Sequence, residues 1–439
     1  MTPAKMTPML RQYRDLKGRY PDALLFYRLG DFYELFEDDA RTAARELGLV
    51  LTSRRFSKKV RLPMCGVPYR TVTGYVARLL QAGHKVAIAE QMEDARRTKG
   101  LVRRDVVRII TPGTVVEEDL LPQKTQNFLV SIVLEHKPSH RSAPQQQEPA
   151  PSQFANPQST NPLPFGLSVV DLSTGEYAAT QSAGLPALVE ELQRLRPSEI
   201  VLPARLAGDE AWTTGLRKQV ESGPHPLRIS AVPDAQATTR AARARLREHF
   251  GLASLESCGL EGQPLALAAA GAALFYLHDS QISDLAHLRI LAAYDLADFV
   301  SLDTATRRNL ELTATLREGR TEGSLLGILD RTRTAMGARL LRRWIHQPLL
   351  DLDRIRARLD AVEELVSPDP DAQPDAQAPA FLRADLRQIL EGIYDVERLV
   401  GRVGFGNANA RDLTALRRSL VRIPRIKARL SGARAGHLQ

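Results

Sequence analysis

The sequence predicts a multidomain protein in which two mixed α/β units are followed by an all-α region. Strand-like and helix-like patterns alternate over residues 1–117 and again over 125–262, whereas apolar residues recur at three- and four-residue spacing over 264–439. A stretch rich in proline and glutamine, residues 138–164, interrupts the globular composition of the second unit. At about 150 residues per domain, a chain of 439 residues also suggests three domains.

Composition and missing motifs narrow the function classes. Lys and Arg number 60 against 51 Asp and Glu, a moderate excess of +9 that fits a polyanionic partner but does not prove one. The two cysteines, Cys65 and Cys258, are too few for a disulfide framework or a zinc site. The dipeptide Gly-Lys and the motif H-E-x-x-H do not occur, which excludes a phosphate-binding loop and a zincin site from these residues. With no secretion signal and no membrane-length apolar run, we expect a soluble, cytoplasmic protein.

The first unit reads as strands and helices in turn. LLFYRLGDFYE, residues 24–34, indicates two strands that turn at Gly30. FEDDARTAARELGL, residues 36–49, has helical spacing, and VAIAEQM, residues 86–92, indicates another short strand. The β-rich segment VVRIITPGTVV closes the unit near residue 117.

The second unit and the region after it are also patterned. FGLSVVDLSTGEYAAT, residues 165–180, predicts a hairpin, the amphipathic stretch 185–197 predicts a helix, and EIVLP predicts a strand. Together they favour a mixed sheet covered by helices. The run LALAAAGAALFYLHD opens a predicted helical region at residue 264, within which the stretch 367–380 is predicted to be a flexible loop.

One carboxylate raises the possibility of catalysis. Asp171 ends a predicted strand, where nucleases with an RNase H-like fold carry a metal ligand. Two-metal hydrolysis needs several converging carboxylates, and only the distant Asp209 and Glu210 are candidates. The alternative, which we favour, is that Asp171 stabilises its own hairpin turn.

The most informative segment is LGDFYELF, residues 29–36. Alternate residues of a strand share a face, so Phe32 and Glu34 should point one way and Tyr33 and Leu35 the other. An aromatic ring beside a carboxylate could stack on a base and accept a hydrogen bond from it. The alternative is a core phenylalanine next to a solvated glutamate.

A cluster of cations follows this segment in a predicted loop. Five positive charges fall within eight residues, as is typical of contacts to nucleic-acid phosphates. The cluster consists of Arg54, Arg55, Lys58, Lys59 and Arg61. The alternative interpretation is a charged surface that faces only solvent.

Several motifs in the same order resemble the bacterial DNA mismatch repair protein family MutS. FYRLGDFYELFEDDA, LPMCGVPYRTV and GHKVAIAEQMED resemble the mismatch-recognition domain of that family, and RIITPGTV resembles its closing strand. FGLSVVDLSTGEY and LQRLRPSEIVLP resemble the connector domain, which implies an RNase H-like α/β fold. DFVSLDTATRRNLEL, GSLLGILDRTRTAMGARLLRRWIHQPL and DLDRIRARLDAVEEL resemble the helical core, or lever, domain.

The resemblance implies roles for individual residues. Phe32 would stack on a mispaired base from the minor groove, and Glu34 would hydrogen-bond to that base. Leu29 and Asp31 would shape the turn beside them, and Arg54 matches a family position that touches the DNA backbone. Arg55, Lys58, Lys59 and Arg61 are expected to help through charge alone.

The resemblance also implies cofactors and partners. Family members continue into an ATPase domain, so ATP and magnesium are expected to bind outside this chain, and no cofactor or catalytic site is expected within it. Mismatched double-stranded DNA, a second copy in a homodimer of the full-length protein and downstream repair proteins are the expected partners, with a location in the cytoplasm at the nucleoid. A metal-dependent nuclease using Asp171 and a non-catalytic interaction module are the alternatives.

Overall fold

A computed structural model describes residues 7–57, 60–93, 100–135, 163–220, 227–280, 285–366 and 379–438. Most of the 138–164 insert and most of the 367–380 loop lie outside the described residues, as do Lys58 and Lys59. The described chain nevertheless enters a strand at Pro164 and a helix at Pro379, at the last residues of those two predicted segments. No helix in these ranges is long and apolar enough to span a bilayer.

The first domain is a six-stranded sheet with helices on both faces. Its strands are β1 (Ala23–Leu29), β2 (Phe32–Phe36), β3 (Thr52–Ser57), β4 (Val60–Pro68), β5 (Lys85–Gln91) and β6 (Arg104–Ile110), in the order β3-β4-β2-β1-β5-β6. Its helices are α1 (Pro8–Arg19), α2 (Glu37–Leu47) and α3 (Val72–Gln81). Helix α1 packs on one face of the sheet, and α2 and α3 pack on the other. The strands and the helix predicted for this unit are confirmed.

The second domain contains a mixed sheet, as predicted, and this sheet has six strands. Its strands are β7 (Leu129–Leu134), β8 (Pro164–Asp171), β9 (Glu176–Ala183), β10 (Glu199–Pro203), β11 (Arg228–Val232) and β12 (Ala292–Ala293), in the order β11-β10-β7-β8-β9-β12. Its helices are α4 (Leu185–Leu195), α5 (Ala204–Ala207), α6 (Glu210–Val220), α7 (Thr239–Phe250) and α8 (Pro264–Ser280). The predicted hairpin is the antiparallel pair β8–β9, and β10 runs parallel to both β7 and β11.

Helix α8 belongs to this second domain and not to the helical region, so the boundary predicted between residues 262 and 264 is displaced. Its small side chains are buried in the same core as Leu129 and Val170 of the sheet. A side chain at Gly166 would meet the backbone of Leu265 at 2.0 Å, and one at Gly271 would meet Ala242 at 2.2 Å. The alanine-rich composition therefore serves close packing against the sheet and α7.

The rest of the described chain is helical. It contains α9 (Thr304–Asn309), α10 (Leu325–Leu329), α11 (Ala335–His346), α12 (Leu352–Val366), α13 (Pro379–Leu390), α14 (Val396–Gly404), α15 (Ala410–Leu420) and α16 (Ile423–Leu430). Most of these helices begin at a side chain that accepts a hydrogen bond from the first turn, as Asp303, Ser324 and Asn409 do.

The segment that joins the first two domains is fixed by a buried carboxylate. Glu199 accepts hydrogen bonds from the backbone N–H of Gly113 at 3.1 Å, from Ser230 at 2.6 Å, from Tyr276 at 2.6 Å and from Thr111. A side chain at position 113 would lie 2.8 Å from Glu199 Cβ, so only glycine allows this approach. The Thr-Pro-Gly sequence noted above is thus explained as a docking element between domains.

Candidate nucleic-acid interface

The β1–β2 hairpin presents the Phe-x-Glu element at an edge of the first domain. Leu29 pairs with Phe32, which leaves Gly30 and Asp31 as the turn, and Gly30 has a φ of +58°. Glycine adopts this left-handed backbone conformation without steric cost. The predicted turn at Gly30 is confirmed.

Strand β2 divides its side chains between two faces as predicted. Tyr33 and Leu35 are buried against α2 and α3, whereas Phe32 keeps 48% of its surface exposed. Phe36, on the same face as Phe32, is fully buried in the core that α1 forms. The alternative of a core phenylalanine at position 32 is therefore wrong, because about half of the Phe32 side chain is exposed.

Glu34 does not stand alone on that face. Its carboxylate accepts a hydrogen bond from the guanidinium of Arg54, on β3, two strands away. The Glu34 side chain is 16% exposed and that of Arg54 is 39% exposed. Gly66 of β4 lies opposite Glu34, and a side chain there would meet Glu34 Cγ at 3.6 Å. The Glu34 carboxylate therefore remains partly accessible, and the positive charge of Arg54 offsets its negative charge.

An aromatic residue that the sequence analysis did not select stands beside the hairpin turn. Tyr69 donates its backbone N–H to the carbonyl of Asp31 at 3.0 Å, and its ring lies 3.9 Å from the guanidinium carbon of Arg28. Arg28 also donates to the carbonyl of Gly30. These contacts hold the turn before Phe32 against the end of β4. The only signal in the sequence was an aromatic residue after Pro68.

The underside of the hairpin is anchored by a buried phenol. The hydroxyl of Tyr33 donates to the carboxylate of Glu90 on β5. Burial, reinforced by that carboxylate, raises the pKa of Tyr33 to about 12. Tyr33 therefore stays protonated and keeps the strand fixed beneath Phe32.

The described residues of the predicted basic loop lie in two antiparallel strands, so the loop prediction is wrong for them. Arg54 and Arg55 lie in β3, and Arg61 lies in β4 directly opposite Arg55. Because adjacent residues alternate between faces, Arg54 shares the side of Phe56 and Leu62, which pack toward α1, whereas Arg55 and Arg61 point the other way. Arg55 and Arg61 are exposed. Of the three described cations, only Arg54 is thus brought next to Glu34.

Asp171 has the geometry of a turn-stabilising residue. It is fully buried, and its carboxylate accepts from the backbone N–H groups of Asn127 at 3.0 Å and Ser173 at 2.9 Å, and from the Ser173 hydroxyl at 2.6 Å. Asp209 instead caps the start of α6 through the N–H of Trp212. No group of three or more metal-binding side chains occurs among the described residues. The nuclease alternative is not favoured.

Three arginines of the helical region hold the chain between the first two domains. Arg398 donates to the carbonyls of Pro122 at 3.0 Å and Thr125 at 2.7 Å, and Arg339 donates to that of Gln123 at 2.9 Å. Arg402 pairs with Glu118 at 3.1 Å. All three arginines are at most 6% exposed. The helical region is thus tied to the interdomain segment, close to the end of the first domain.

Comparison with known proteins identifies three domains in order along the chain. Residues 7–119 match the family model of MutS domain I, residues 155–289 that of MutS domain II and residues 305–439 that of MutS domain III. The domain II match extends through α8, in agreement with the packing of that helix on the second sheet.

The curated relatives carry one name. The chain is 47% identical over its whole length to the DNA mismatch repair protein MutS of Symbiobacterium thermophilum, of which it covers 46%. It is 42% identical to the protein of that name from Halothermothrix orenii, with 97% of the chain and 42% of the relative aligned. For the Synechococcus elongatus protein the identity is 43%, over 98% of the chain and 45% of the relative. The chain spans somewhat less than half the length of these relatives.

Proposed function

Because the chain belongs to the MutS family of DNA mismatch repair proteins, with domains I to III of that family, we propose that it recognises mispaired or unpaired bases in duplex DNA. The observation that carries the proposal is the half-exposed ring of Phe32 beside the Glu34 carboxylate on one strand face. A large aromatic side chain that is half exposed beside the hairpin turn contributes little to the core of the domain.

Phe32 enters the minor groove and stacks on the faulty base. An inserted side chain kinks the duplex, and the lost base stacking costs a few kcal/mol per step. A mispaired or unpaired base is already poorly stacked, so the cost is smallest there. Discrimination then comes from the deformability of the DNA and does not require a code of base contacts.

Glu34 accepts a hydrogen bond from the displaced base, while Arg54 offsets its repulsion from nearby phosphates. On a matched duplex the base stays in the stack, so the carboxylate gains no hydrogen bond and its charge only disfavours binding. Leu29 and Asp31 shape the turn, and Arg55, Arg61, Lys58 and Lys59 contribute attraction to the backbone.

Family membership supports further proposals about the whole protein. ATP and magnesium are used by a part of the protein other than domains I to III, and those three domains supply no catalytic residue. The full-length protein works as a homodimer, at the nucleoid in the cytoplasm, and recruits downstream repair proteins.

The test is a binding comparison at one stated salt concentration. Fluorescence anisotropy is measured with a labelled duplex that contains one G·T mismatch and with the same duplex fully matched. The proposal expects tighter binding to the mismatched duplex. Equal affinity for the two duplexes would contradict it and favour the alternative of a non-catalytic interaction module.

A further inference from the structure

We propose that the junction between the second domain and the helical region contains a binding site for one phosphate-class oxyanion, built around Arg307 and His346. A cavity of about 190 Å³ opens there between α4, α9 and the end of α11. The polar side chains that line it are Ser182, Glu190, Glu191, Arg194, Ser301, Arg307, His346 and Gln347. This volume suits a small ion.

The charges around the cavity are predominantly positive. Four arginines act electrostatically on His346: Arg307 from α9, Arg342 from α11, and Arg194 and Arg196 from the end of α4. Burial first, and then these arginines, lower the pKa of His346 to about 3. The imidazole is therefore neutral and offers one ring N–H as a donor.

The two carboxylates at the cavity are already engaged. Glu191 accepts hydrogen bonds from Nη2 and Nε of Arg194, at 2.6 and 2.7 Å, and from the hydroxyl of Tyr294 at 2.7 Å. Glu190 accepts the hydroxyl of Ser301 at 2.9 Å. Among the described residues, Arg307 donates only to the backbone carbonyl of Glu190, at a long 3.5 Å. The excess positive charge is therefore not balanced by these acids.

Two buried nitrogen atoms of residues that line the cavity lack a hydrogen-bond partner among the described residues. They are Nε of Arg307 and Nδ1 of His346. Burying a cationic donor without an acceptor is unfavourable, and mutual repulsion of the arginines adds to the cost. An oxyanion supplies several acceptor oxygens and a negative charge at once, which the planar guanidinium groups match well.

Calorimetric titration of inorganic phosphate into the 439-residue chain, in chloride buffer at constant ionic strength, tests the site. We expect one saturable equivalent. The variant Arg307→Gln should bind at least about tenfold more weakly, because a charge-assisted hydrogen bond and a charge are lost. The control Arg41→Gln removes an exposed arginine on α2 that pairs with Asp38, and it should bind phosphate like the unmodified chain.

A second variant and a second titration make the outcome decisive. Should circular dichroism show that Arg307→Gln is unfolded, His346→Leu replaces it, because it removes the other unpartnered donor that lines the cavity and should also weaken phosphate binding. Absence of saturable binding, or identical binding by the arginine variant and the unmodified chain, overturns the proposal. Repeating the titration in the presence of a short single-stranded oligonucleotide identifies the source of the phosphate: Arg307-dependent competition assigns it to nucleic acid, and unaltered phosphate binding assigns it to the free ion.

Discussion

Arg54 on β3 donates to the carboxylate of Glu34 on β2, so the residue proposed to meet a displaced base already carries a positive partner. The pair lies two residues along the strand from the exposed ring of Phe32. The proposed recognition would therefore combine three side chains: a ring that enters the duplex, a carboxylate that opposes binding to intact DNA, and a guanidinium that reduces this opposition.

Replacement of Phe32 by alanine should abolish the preference for mismatched over matched duplex, since the stacking ring is lost. Because the ring is 48% exposed, the free energy of unfolding should change by less than about 1 kcal/mol. Anisotropy titrations and urea unfolding measure the two quantities. Val50→Ala, which truncates an apolar side chain 80% exposed in the same domain, is the matched control and should keep the preference. A preference that survives in Phe32→Ala would exclude the stacking role.

Replacement of Glu34 by alanine should tighten binding to matched DNA by a few-fold and narrow the mismatch preference. The repulsive charge disappears and Arg54 is released toward the phosphates. Arg54→Ala should act in the opposite direction and weaken binding to both duplexes. The two variants are compared by titration at two salt concentrations, and weaker matched-duplex binding by Glu34→Ala would disprove the assigned role.

Replacement of Arg398 by methionine should lower the free energy of unfolding by about 3 kcal/mol. The backbone carbonyls of Pro122 and Thr125 lose the buried charged donor that now binds them. Urea unfolding measures the loss, with the exposed Arg418→Met as control. Equal stability of the two variants would show that the arginine contacts contribute nothing.

Replacement of Asp171 by alanine should lower the free energy of unfolding of the second domain by about 2–4 kcal/mol. Neither the unmodified chain nor the variant should cleave DNA. Three hydrogen bonds from Asn127 and Ser173 are lost. Thermal unfolding and incubation of both proteins with DNA and Mg²⁺ or Mn²⁺ provide the measurements. DNA cleavage by the unmodified chain that disappears in the variant would restore the nuclease alternative.

Stability should respond to the ionisation of Glu176. Burial raises the pKa of this carboxyl above its ordinary 4.5, despite the ion pair with Arg343. A raised pKa means that the folded state holds the proton more tightly, so the contribution is complete below pH 4.5 and is lost as the pH rises through the folded value. Relative to Glu176→Gln, the unmodified chain should therefore lose stability as the pH rises above 4.5. Urea unfolding of both proteins over a series of pH values from 4.5 upward measures the difference, and parallel pH profiles would refute it.

The face of β2 was predictable because strand alternation is a local property. Phe32, Tyr33 and Leu35 point where the spacing places them. The partner of Glu34 was not predictable, because it depends on which strands become neighbours and on the register between β2, β4 and β3. The position of Tyr69 beside the hairpin turn was not predictable for the same reason, since it depends on the pairing of Phe32 with Pro68.

The displaced domain boundary has a physical cause as well. Helix α8 carries apolar residues on every side and therefore gives no amphipathic direction that would assign it to a sheet or to a bundle. Its position follows from the glycines that admit it, Gly166 in the sheet and Gly271 in the helix itself. The sequence of α8 by itself does not reveal which strand or helix it packs against.

Arg339, Arg398 and Arg402 bind residues 118–125, the segment that leads into the second sheet and that we call the strap. This binding has a mechanical consequence. Since Arg398 and Arg402 are a single turn apart on α14, the strap cannot slide along that helix without breaking both sets of bonds. A tilt of α14 would pull directly on the backbone that leads to Thr111 and Gly113, and from there on the β6 end of the sheet that carries Phe32. If the first domain bends DNA as proposed, the resulting strain has a short, stiff path from that domain into the helical region.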